Sequence, residues 1–179
     1  MMVPAYNMST TPRHMKLVSR CERELEDSLS NYETYNLSRE QTDLVYWNED
    51  NCIFKLVDAE NLEMSEEIFL SEVINSMDYV MPDIMLFQKN KYVANKNQTK
   101  TAGFPDLIIE VWSDGNKNEH RNFKRKLYAT SQTTEFWQIT QNSNIVKCSI
   151  GNKKIMDKSL TEPMQTLAEI PIDLTHLAL

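Results

Sequence analysis

Apolar residues recur along this chain with two different periods, and the switches between those periods lay out a fold. Ser9-Thr10-Thr11-Pro12 reads as a turn opening a helix. Leu17, Val18, Cys21, Leu25 and Leu29 then fall at helical spacing, with Glu22, Arg23, Glu24 and Glu26 around them, which predicts an amphipathic helix ending near Ser30-Asn31. Two short β-like runs follow, 44–47 and 53–57, and Asn48-Glu49-Asp50-Asn51 between them predicts a hairpin loop. Residues 62–77 are acidic, with helix favoured over strand. Residues 79–87 predict a strand, 88–103 a polar loop, and 106–112 a second strand. After the turn Ser113-Asp114-Gly115-Asn116, the pattern predicts a helix over 117–131 and strands over 135–139 and 145–150. A hairpin connection at 151–154 leads to a short strand over 155–158, and 170–174 reads as extended or turn. This order predicts an α/β (α+β) fold, a mixed β-sheet flanked by helices. The length of 179 residues, without a repeat or a Pro/Gly-rich linker, predicts one domain spanning 1–179.

Composition narrows the function classes. No window carries the apolar run that a membrane span needs, and Met1 to Tyr6 has no basic region followed by an apolar stretch, so a cytoplasmic protein is expected. Cys21, Cys52 and Cys148 are scattered and read as small reduced core residues. The three cysteines and three histidines have no zinc-ligand spacing. Neither a glycine-rich phosphate loop nor a G-x-S-x-G elbow is present. The net charge is −7, yet the stretch from Lys89 to Lys126 holds nine basic and four acidic residues. Local positive charge of this kind suits a phosphate-binding face, and it also suits a solvated loop and helix face.

Two acids stand out against their surroundings. Asp83 is the sole charged residue of 79–87, and Glu110 is flanked by Ile108, Ile109, Val111 and Trp112. A buried carboxylate is expensive without a basic partner, a hydrogen-bond network or a cation, although a strand-end position open to water would also accommodate it. One acid on each of two neighbouring strands can aim at a shared point. With the Val111 backbone carbonyl as third ligand, the pair suits a hard ion such as magnesium, which can activate water and polarise a phosphodiester. Asp106 lies about 13 Å from Glu110 by strand rise and reads as a residue at the start of the strand.

The helix after Glu110 offers a cation. His120, Lys124 and Tyr128 form one stripe at i, i+4, i+8, with Phe123 and Leu127 beside it facing the core. Lys124 is thereby placed at the core edge, where it either reaches over the sheet to orient a water or covers apolar surface with its stem.

Several segments in order resemble one family. They are Met81-Pro82-Asp83-Ile84, Pro105-Asp106-Leu107-Ile108-Ile109-Glu110-Val111-Trp112-Ser113, Lys124 to Tyr128 and Glu135-Phe136-Trp137. The segment Asn7 to His14 and the ending Ala168 to Leu174 are similar to it as well. The family is that of the bacterial putative restriction endonucleases, within the PD-(D/E)XK nuclease superfamily. The resemblance implies a restriction-endonuclease-like fold, DNA as substrate and Mg2+ or Mn2+ as cofactor. Asp83 matches the family's first acid and Glu110 its second. The usual lysine, two residues after the second acid, falls on Trp112, and Lys124 matches the lysine that family members carry on the following helix. His120 stands where the family often has an acid, the segment before Met8 is short, and His14 matches a recurrent family histidine.

The leading expectation is a metal-dependent DNA endonuclease with Asp83, Glu110 and Lys124 as catalytic residues. Lys89, Lys91, Lys96, Lys100 and Arg121 would contact nucleic acid, and His14, His120 and Tyr128 would be accessory. The alternative is a catalytically inactive nuclease-fold protein that binds DNA or a partner. A homodimer would suit cutting of two strands.

Overall fold

The structure, a computed structural model, describes residues 11–30, 34–38, 42–49, 53–60 and 62–179. Helix α1 (Pro12–Leu29) is followed by β1 (Tyr35–Ser38), β2 (Asp43–Glu49), β3 (Ile53–Leu56) and α2 (Met64–Val73). Then come β4 (Asp78–Val80), β5 (Ile84–Gln88), β6 (Tyr92–Ala94), β7 (Lys100–Gly103) and β8 (Leu107–Trp112). Helix α3 (Asn118–Tyr128) leads to β9 (Glu135–Thr140), β10 (Ile145–Ile150), β11 (Lys153–Lys154), β12 (Lys158–Ser159), β13 (Met164–Gln165) and β14 (Pro171–Ile172).

The mixed α/β architecture expected from the pattern is present as two main sheets. A seven-stranded sheet runs β1-β5-β8-β9-β10-β11, with β12 also on β10, and a five-stranded sheet runs β3-β2-β7-β6, with β4 also on β2. Strands β8 and β9 are parallel, so the chain has to cross over between them, and α3 is that crossover. This topology lays α3 over one face of the large sheet.

Both faces of β8 are buried, which is why 107–112, apart from Glu110, is apolar without alternation. Ile84, Leu86, Leu107, Ile109, Val111, Trp137 and Ile139 face α1, whose Leu17, Val18, Cys21 and Leu25 complete one core. Met85, Phe87, Ile108, Trp112 and Phe136 face the other way and pack with Leu127 and Tyr128 of α3 and with Leu44, Tyr46 and Leu56 of the smaller sheet. Helix α1 begins as expected: the Thr11 side chain accepts a hydrogen bond from the His14 amide at 3.1 Å, and Pro12 occupies the first turn. Cys21 and Cys148 are free and buried, and burial pushes both thiols up to about 12, so they stay protonated as inert core groups. Ser9, Thr10, Asn31 and Cys52, which carried parts of the sequence reading, lie outside the described residues.

Three expectations are corrected. The run 79–87 is not one strand: β4 pairs with β2 in the smaller sheet, and β5 belongs to the larger. Pro82 sits at the crossing, where its missing N–H would break a ladder. The region 88–103 is not only loop, because it folds into the antiparallel pair β6–β7, with β7 parallel to β2. Near 151–158, the strands are β11 and β12, both pairing with β10, so the expected connection holds a strand and most of the expected strand does not. Among the described residues no helix is long and apolar enough to cross a membrane.

Candidate functional site

The register of β5 against β8 sets the site. Ile84 is paired with Ile109 in an antiparallel ladder, so one step further places Asp83 opposite Glu110. Asp83 lies just outside β5, where its Oδ2 accepts a hydrogen bond from the Val111 amide at 2.6 Å. The amide and carbonyl of one strand residue point to the same side, so the Val111 carbonyl is turned toward Asp83 as well. Across from Asp83 Oδ1, at 3.4 Å, stands Nε2 of His14 in the first turn of α1.

Glu110 belongs to the α3 face of the sheet, together with Ile108 and Trp112. Its side chain has no solvent exposure, with a relative accessibility of 0%. Lys124 Nζ donates to Oε1 at 2.7 Å and to Oε2 at 2.9 Å, and the Tyr128 hydroxyl donates to Oε1 at 2.7 Å. The stripe spacing explains this: Lys124 and Tyr128 are four residues apart on the helix that crosses directly above. The third partner of Lys124 Nζ is the Met81 carbonyl, at 2.8 Å. Burial pushes Glu110 up to about 7; the neighbouring ammonium works against this shift and the Asp83 carboxylate adds to it. Tyr128 is held well above its ordinary value, first by burial and then by the Glu110 charge.

The structure therefore brings together Asp83, Glu110, Lys124, Tyr128 and His14. Trp112, at the usual place of the superfamily lysine, lies under two cations: its ring is 5.7 Å from Lys124 Nζ and 5.6 Å from the Arg121 guanidinium carbon. Arg121 Nη2 also donates to the Ser113 carbonyl. His120 is half-buried on the first turn of α3.

The lysines of 88–103 lie elsewhere. Lys89 and Lys96 are exposed on the turns flanking β6. Lys91 Nζ lies 3.5 Å from Glu60 and 3.7 Å from Asp106, and Lys100 Nζ donates to the Asn75 carbonyl at 3.0 Å while lying over the Tyr79 ring. Among the described residues, none of the four makes a hydrogen bond or ion pair with Asp83 or Glu110. Asp106 sits just before β8, as its position implied, where its carboxylate accepts from the Gln88 amide at 2.8 Å.

Two participants escaped the sequence reading. The Met81 carbonyl has no side-chain signal. Gln138, which the β8–β9 register sets beside Glu110, did leave one, as a polar residue between the apolar Trp137 and Ile139.

Whether the cluster suits a metal ion is a matter of donors. Among the described residues no three His, Cys, Asp or Glu side chains are grouped as a metal site. Two carboxylates and a backbone carbonyl remain, and such hard oxygens fit magnesium or manganese. In the present arrangement the Lys124 ammonium takes both Glu110 oxygens that an ion would use.

Comparison with known proteins agrees with this architecture. The sequence profile of the Uma2 family, described as putative restriction endonuclease, matches residues 39–165, well over half of the chain. No curated protein matches. Among solved structures, the chain is similar to the crystal structure of a putative nuclease belonging to DUF820 from Anabaena variabilis ATCC 29413. The TM-score is 0.63 at 11% identity, over 93% of this chain and 80% of that one, a likeness of fold.

Proposed function

Because this chain belongs to the Uma2 restriction-endonuclease-like family, within the PD-(D/E)XK superfamily, we propose that it binds DNA through the nuclease fold, with its acid–lysine centre closed as an internal ion-pair network. The observation that carries this reading is Glu110. It is fully buried, and Lys124 and Tyr128 fill its carboxylate, so the positive charge beside it is supplied by the protein itself. The basic stretch around α3 supplies charge for a phosphate backbone.

A second reading, metal-dependent hydrolysis of a phosphodiester, is favoured by the facing positions of Asp83 and Glu110 and by the direction of the Val111 carbonyl. Asp83, Glu110 and the Val111 carbonyl would hold Mg2+ or Mn2+, which supplies activation of water and polarisation of the phosphodiester when bound. Lys124 would then leave Glu110 to orient the water and meet the charge on phosphate. A buried ion pair is often no more stabilising than apolar residues of the same volume, so the cluster's cost also points to a working role.

The two readings separate in one experiment. A short duplex is titrated with the protein and followed by fluorescence anisotropy in EDTA, then incubated with Mg2+ or Mn2+ and inspected for cut strands. Binding in EDTA without cutting is the expected result. Cutting that requires a divalent cation and is lost in Asp83→Ala would replace the first reading by the second.

A further inference from the structure

Besides Lys124, helix α3 carries a pair of cations that the acid cluster does not neutralise. Arg121 and Arg125 are one turn apart, both half-buried. The partners of Arg125 are neutral: its Nε donates to Gln138 Oε1 at 2.6 Å, and Nη1 donates to Asn122 Oδ1 at 3.1 Å. The partners of Arg121 are neutral too, the Ser113 carbonyl and the Trp112 ring, and its Nε is buried without a hydrogen-bond partner among the described residues. Neither guanidinium is paired with a carboxylate among the described residues. Burial and the charge of Arg121 together hold Arg125 below its ordinary value, so the two cations act on each other.

Two like charges held in place one turn apart repel, and a bound anion removes that repulsion. Their position gives the anion its class. Gln138, which fixes Arg125, is paired in register with Glu110, and Trp112, which fixes Arg121, lies two residues further along the same strand. The pair therefore borders the Asp83–Glu110 cluster, on rigid elements on both sides. Guanidinium forks suit phosphate oxygens, and neutral anchors leave their charge available to a ligand.

We infer that Arg121 and Arg125 form a phosphate-binding pair that holds the DNA backbone beside the Asp83–Glu110 cluster. The inference rests on the reading that the chain binds DNA. It assigns the main phosphate contact to α3 rather than to Lys91 and Lys100, whose ammonium groups are engaged within the protein.

The test is the salt dependence of duplex binding by the whole chain in EDTA. Wild type is compared with Arg121→Gln, Arg125→Gln, the double variant, and Lys153→Gln, an exposed lysine on the β10–β11 hairpin, as control. Each lost phosphate contact lowers the slope of log K against log salt by about 0.9. The expected result is a slope reduced in each single variant, reduced further in the double, and unchanged in Lys153→Gln. Arg125→Lys, which keeps the charge, should retain the slope. If the arginines only brace Ser113 and Gln138, the variants will melt earlier while the slope stays at the wild-type value, and the inference fails while DNA binding stands. No binding by the wild-type chain would overturn both.

Discussion

Glu110 and Glu135 are two buried glutamates on adjacent parallel strands, and they face opposite sides of the same sheet. Glu135, at the start of β9, lies on the α1 face with Trp137 and Ile139; Glu110, near the end of β8, lies on the α3 face with Ile108 and Trp112. Glu135 accepts from the Trp137 indole and from the Leu167 amide, each at 2.6 Å, with Lys158 Nζ further off at 3.8 Å. Its hydrogen bonds fasten the C-terminal segment to the sheet. Glu110 instead accepts from an ammonium and a phenol, with a second carboxylate close enough to raise its affinity for a proton. Burial alone does not separate a structural carboxylate from a site carboxylate. The kind of hydrogen-bond donor does: neutral N–H groups in one case, titratable groups in the other.

The sharpest way to break this comparison is to remove Glu110. Above pH 7, where Glu110 is charged, Glu110→Ala leaves the Lys124 ammonium buried beside Met81 without its counter-charge, a loss of about 3–5 kcal/mol in urea unfolding. Adding Lys124→Met should recover most of it, since both charges are then gone. A single-variant loss no larger than that of a surface change would show that the pair is not a coupled unit.

Glu135→Ala should cost less, about 2–4 kcal/mol, because it strands the Leu167 N–H and the Trp137 indole but no buried charge: Lys158 is partly exposed and keeps the Gln165 carbonyl. Its folded form should bind duplex DNA as wild type does, whereas a weakened affinity would place Glu135 with the site after all.

The smallest effect is on pH. The folded chain holds a proton on Glu110 up to about 7, against an ordinary 4.5. Stability from this group is thus fully present below about 4.5 and is lost as pH rises through 7, with a slope of at most about 1.4 kcal/mol per pH unit. Melting curves across that window should show the decline in wild type and a flatter profile in Glu110→Gln. An identical profile in both would assign the pH dependence to other groups.

The sequence was most legible where a residue contradicted its surroundings. Asp83 and Glu110 interrupt apolar runs, and Lys124 and Tyr128 keep helical spacing on a helix with an apolar side, so all four could be brought to one place before the topology was known. Glu135 left no such signal, since it sits at a strand start where an acid is ordinary. The division of 79–87 between two sheets was hidden because both halves are apolar, and Pro82 alone does not say that the strand changes partners. Strands β6 and β7 were hidden for the opposite reason. They are three and four residues long and set among lysines and asparagines, and β6 is only partly covered, so their pairing depends on β2, far away in sequence.

Lys124 joins pieces that the covalent chain keeps apart. Its stem leaves α3, its ammonium grips β8 through Glu110, and its remaining bond ends on Met81, in the short stretch where the backbone passes from the smaller sheet to the larger. One side chain thus rivets a helix, a central strand and the seam between two layers. Near the cluster these parts share a common opening event, because loosening any one of them withdraws a partner from the same nitrogen.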